Sequence, residues 1–110
     1  MTGLRFLPAA RIELDAARRY YRRRDAGVAR RFSAEVLGVL ERAMEAPSHF
    51  PEHGLLAVPT PAQTLFLTVR KAVLPRIFPY VIFYYVRERT VVVLAVAHDK
   101  RRPGYWTHRG

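Results

Sequence analysis

The chain has 110 residues, half of them hydrophobic, which suits one globular domain over residues 1–110 and leaves no room for a second. It has no cysteine, which excludes a disulfide framework and a thiolate metal site, and no apolar run near the roughly 18 residues of a membrane span. The formal net charge is +10, with Arg supplying 17 of the 19 basic residues, so a polyanion or an acidic protein segment is the expected partner and a soluble, cytoplasmic chain the expected setting.

Leu4-Arg5-Phe6-Leu7 alternates and is too short to stand alone, as an edge strand would be. Pro8 stops it and suits the first turn of a helix, on which Ala10, Leu14, Ala17 and Tyr21 line one face while most of the arginines lie off it. Asp25-Ala26-Gly27 breaks the pattern. A second helical stripe follows in Ala29, Phe32, Val36, Val39, Leu40 and Ala43, and Pro47 closes it. So short a break predicts an antiparallel helical hairpin able to cover one face of a sheet.

From Pro47 to Pro61 four prolines and Gly54 predict an extended surface loop with little regular structure. His49 and His53 stand four apart there, but Pro51 between them opposes a helix and no thiol partner exists, so they read as exposed loop histidines with no metal. Leu65–Val73 reads as a strand that turns at Leu74-Pro75-Arg76. Two apolar runs, Val81–Val86 and Val91–Ala97, flank the charged connector Arg87-Glu88-Arg89-Thr90, the pattern of a β-hairpin, and Pro79 marks the start of its first strand. Neither run alternates cleanly, so these strands belong in the middle of the sheet with both faces covered.

The predicted fold is therefore α+β: an N-terminal strand, then a helical hairpin on one face of a small antiparallel sheet, in the order β-α-α-β-β-β. Helices for only one of two apolar faces imply that the other stays partly open, as a groove that a partner could fill.

Phe78-Pro79-Tyr80 before an aromatic strand, then Ala95-Val96-Ala97-His98, Arg102-Pro103 and Tyr105-Trp106, resemble the RelE/ParE superfamily of type II toxins, and within it the ParE-like, plasmid-stabilisation branch. Pro8, Ala10, Tyr20-Tyr21, Phe32, Pro47 and Val69-Arg70 extend the likeness over nearly the whole chain. The resemblance implies a toxin held inactive by a cognate antitoxin, here an acidic segment that folds on binding, with no cofactor. It also implies one of two targets: DNA gyrase, inhibited without catalysis, or, as the alternative, ribosome-bound mRNA cut by an endoribonuclease.

Cleavage of RNA needs a general base, a general acid and cations for the charged phosphate. His98, at a strand end, and Tyr105 are the candidates for proton transfer; His98 could equally cap a turn. The candidates for binding target or antitoxin are Arg70, Lys71, Arg76, Lys100, Arg101, Arg102, Tyr105 and Trp106, since Arg and aromatic side chains dominate binding hot spots. Trp106 is also suited to packing on the sheet and tying down the tail.

Overall fold

The computed structural model describes residues 2–75, 77–102 and 104–109. Strand β1 (Gly3–Phe6) leads into helices α1 (Pro8–Arg24) and α2 (Ala26–Glu45), and strands β2 (Glu52–Pro59), β3 (Thr64–Val73), β4 (Tyr80–Arg87) and β5 (Thr90–His98) follow. The fold class is the expected one, a strand, a helical hairpin and an antiparallel meander. The spatial order is β1-β5-β4-β3-β2, so the central hairpin β4–β5 does lie inside the sheet. β1 joins β5 in parallel, with Gly3 opposite Thr90 and Phe6 opposite Val93. No helix of the described residues is long and apolar enough to cross a membrane.

Pro8 begins α1 as its sequence position suggests, and Arg22, Arg23 and Arg24 lie in its last turn, where cations complement the helix dipole. The break between the helices is shorter than expected. Asp25 alone separates them, extended at φ −168°, and its carboxylate accepts the Gly27 and Val28 N–H groups at 2.7 and 3.2 Å, so Ala26 and Gly27 are already helical.

The largest correction lies at Pro47–Pro61, where Glu52–Pro59 is a strand rather than a loop. β3 is ten residues long, and its first half, Thr64–Thr68, finds its backbone partners in Leu55–Pro59. Pro59 ends the strand and Gly54, at φ +112°, sits in the register shift between Glu52 and Leu55. The breakers bracket the strand instead of preventing it.

Two apolar clusters fill the two faces of the sheet. On the helical side Ala10, Leu14, Phe32, Val36, Leu40 and Ala43 pack on Ala72, Ile82, Tyr84, Val91, Val93 and Val96. There Phe32 packs edge-to-face with Phe78 and Tyr80, with ring centroids 5.3 and 5.4 Å away, and Tyr21 joins them at 5.0 Å from Phe32. On the other side Leu56, Val58, Val69, Val81, Phe83, Tyr85, Val92, Leu94, Ala95 and Ala97 pack with Trp106. The expected open groove on this face is narrowed rather than left along the sheet: Leu56 and Val58 of β2 and Trp106 of the C-terminal segment cover part of it, and a pocket remains beside Phe83. Leu94 and Ala95 fall in the same cluster because the β4–β5 register shifts there, Phe83 facing Ala95 but Tyr84 facing Val93. That bulge explains why the last strand does not alternate.

Candidate functional site: a cationic pocket under the C-terminal segment

β1 follows β5 only as far as Val93, where Leu7 donates its N–H to the Val93 carbonyl, and Pro8 then turns the chain into α1. The outer edge of β5 beyond that point needs other partners. Glu13 of α1 supplies one: its Oε1 accepts the Val96 N–H at 3.0 Å. Arg109 supplies the other, donating to the Leu94 carbonyl at 3.1 Å. The two side chains meet as a bidentate pair, Nη1 to Oε1 at 2.9 Å and Nη2 to Oε2 at 3.0 Å, and the Tyr105 hydroxyl donates to Oε2 at 2.7 Å.

This cluster clasps the C-terminal segment to the body of the protein. Burial alone would raise the Glu13 carboxyl, but hydrogen bonds from Arg109, Tyr105 and the Val96 N–H outweigh it and hold the group below the usual carboxylate range. The same burial and the neighbouring carboxylate push the Tyr105 phenol well above its ordinary value. Neither Glu13 nor Arg109 stands out in the sequence. Each is one more charge on an apparently solvated stretch, and 96 positions separate them.

With Tyr105 held, the adjacent Trp106 swings onto the sheet, 3% exposed, its ring 5.0 Å from that of Phe83. Arg101 lies over the Tyr105 ring at 4.1 Å. Between this segment and the sheet is a pocket of about 150 Å³ with an apolar floor of Val81, Phe83, Ala97 and Trp106 and a polar rim of His53, Lys71, His98, Asp99, Arg101 and Arg102. His53, expected as a bystander in a loop, stands on β2 with its ring 5.1 Å from that of Phe83.

Of the residues singled out in the sequence, Lys71, His98, Arg101, Arg102, Tyr105 and Trp106 thus converge on one pocket. Arg70 does not. Strand alternation sends it to the opposite face from Lys71, where it donates to the Phe50 carbonyl at 2.9 Å and pairs with Glu52 at 3.6 Å, tying down the α2–β2 connection. Lys100 is outside the lining, and its backbone N–H donates to His98 Nδ1 at 3.2 Å. Arg76 lies outside the described residues.

His98 is exposed at the end of β5, with its ring against Tyr80 at 5.3 Å between centroids. Its Nδ1 also lies 3.3 Å from Asp99 Oδ1. The two contacts exclude each other: Nδ1 accepts from Lys100 only when it carries no hydrogen and donates to Asp99 only when it carries one.

A second concavity lies between the helices and β1. Leu4, Phe6, Leu14, Leu37 and Leu40 line it, with Arg11 and Arg18 at the rim, around a volume of about 350 Å³. Leu37 is 52% exposed within it.

Compared with known families, the chain matches the model described as the ParE toxin of type II toxin–antitoxin system, parDE, over residues 4–103. No curated protein matches it.

Proposed function

Since the chain belongs to this ParE toxin family, as the toxin of a type II toxin–antitoxin pair with a cognate antitoxin for partner, we propose that it arrests growth by inhibiting DNA gyrase and engages that target through the cationic pocket. Lys71, Arg101 and Arg102 around an aromatic floor suit a protein segment that offers carboxylates and an apolar side chain. The antitoxin, in this reading, lays an acidic amphipathic segment along the groove between the helices and β1, where Leu37 and Leu40 take its apolar face and Arg11 and Arg18 its carboxylates.

The observation that supports binding over cleavage is the way Tyr105, one of the two proton-transfer candidates, is held. The Tyr105 hydroxyl is committed to Glu13 and its proton is harder to remove than in an ordinary phenol, which is the reverse of what a general base needs. His98 sits at the turn that ends β5, its Nδ1 against the Lys100 N–H, as a residue that caps that turn would.

The test is His98→Gln, which keeps a hydrogen-bonding tip but cannot shuttle a proton. Growth arrest should persist, with early loss of supercoiling or double-strand breaks and with translated messages intact. A ribonuclease using His98 would lose about 10²–10⁴-fold in rate. Early mRNA cleavage that disappears in the variant would replace the gyrase reading with the nuclease one.

A further inference from the structure

We propose that the outer edge of β2 is a self-association surface, on which a second copy of this chain pairs antiparallel so that the two five-stranded sheets become continuous. β2 is a terminal strand of the sheet, and among the described residues no segment hydrogen-bonds to its outer edge. Natural edge strands are blunted by lysines, inward charges, bulges or prolines. Here the bulge at Gly54 and Pro59 bracket the strand, and Leu55-Leu56-Ala57-Val58 between them carries none of these devices. The other edge strand, β1, has only four residues, with Arg5 at its centre.

The face beside this edge is apolar as well. Leu55 and Phe66 are 64% and 67% exposed and Ala57 is exposed between them, on the helical side of the sheet. Pairing of Ala57 with Phe66 and of Leu55 with Thr68 puts the four side chains in one patch.

Charge selects the occupant. From His53 to Val69 the chain has no Lys, Arg, Asp or Glu, although the whole carries a net +10. An acidic partner finds nothing to pair with here, whereas the helical groove offers Arg11 and Arg18. For a second copy this neutral stretch is the place where two cationic molecules approach with least repulsion, since charges beyond about 8 Å are largely screened at physiological salt. A two-fold interface must also be self-complementary, and an antiparallel strand edge is. Pairing centred on Leu56 sets Leu55 of each copy opposite Ala57 of the other, with Phe66 one strand behind on the same face. A ladder this short buries less than the roughly 1,200 Å² of a stable complex, so the dimer should be of micromolar strength.

The test is sedimentation equilibrium of the purified full chain over about 1–100 µM, with Ala57→Lys and Phe66→Ser beside it and circular dichroism to show that each variant is folded. The wild type should pass from 12.7 kDa to twice that mass. Ala57→Lys should weaken association by about 100-fold, since it sets two cations on a pairing edge. Antitoxin binding should survive Ala57→Lys and fail in Leu37→Glu. A wild type monomeric throughout, a dimer untouched by both hairpin variants, or loss of antitoxin binding in Ala57→Lys would each overturn the proposal.

Discussion

Glu13 receives four hydrogen bonds from three separate parts of the chain, β5, Tyr105 and Arg109, with its side chain only 15% exposed. Removing its charge leaves Arg109 half-paired in a shielded site, so Glu13→Gln should cost about 2 kcal/mol in urea unfolding. The sign of the pH dependence follows from the lowered carboxyl. A group held below its ordinary value in the folded chain favours folding above about pH 4.3 and loses that contribution as pH falls through the folded value. Trp106, the single tryptophan, is buried by the segment that this clasp secures, which makes it the reporter. Its emission should shift to the red on acidification below about pH 4, and in Glu13→Gln the shift should already be present at neutral pH. Unchanged emission in the variant would show that the segment stays down without the clasp.

Among the elements, the turn between β4 and β5 is the one whose residues suit it least. Arg87 pairs with Thr90, leaving a two-residue loop in which Glu88 and Arg89 take φ of 52° and 61°. That is the geometry in which Asn-Gly is preferred, because side chains at positive φ crowd the backbone. The double change Glu88→Asn with Arg89→Gly should stabilise the fold by about 1 kcal/mol, read as a higher urea midpoint, and leave toxicity as it was. The hairpin itself was legible from its flanking apolar runs, though its turn type was not, since neither residue announces it. Both helices were legible for the same reason: a stripe such as Ala29-Phe32-Val36-Val39-Leu40-Ala43 has one period and one buried face, and every one of those residues is buried. β2 was not legible, because its breakers signal its ends and its strand character depends on β3 beside it. The pocket was half legible. Lys71, Arg101 and Arg102 drew attention as cations, but His53 was hidden by the missed strand, and Arg70 joined the list because adjacency in sequence says nothing about which face of a strand a side chain takes.

For the molecule as a whole, exposed apolar residues include Leu4 and Leu37 in the helical groove and Leu55 and Phe66 on the β2–β3 hairpin, where no charged residue between His53 and Val69 opposes aggregation. Expressed alone, the chain should give low soluble yield and arrest the host, and the neighbouring antitoxin reading frame should restore both. Equal growth and equal yield with and without it would count against neutralisation by an antitoxin. The parallel pairing of β1 with β5 bears on when the protein becomes itself. The first strand docks on the last, Gly3 against Thr90, and Glu13 of the first helix closes on Arg109. The helical hairpin and the meander β2–β5 can form from neighbours as the ribosome releases them, but these two contacts must wait until β5 and Arg109 have emerged and then close long loops. Arg101, Arg102, Tyr105 and Trp106 help to build the pocket, so a nascent chain still holding them in the exit tunnel lacks that pocket, and a product cut short before Arg109 never acquires the clasp that holds it.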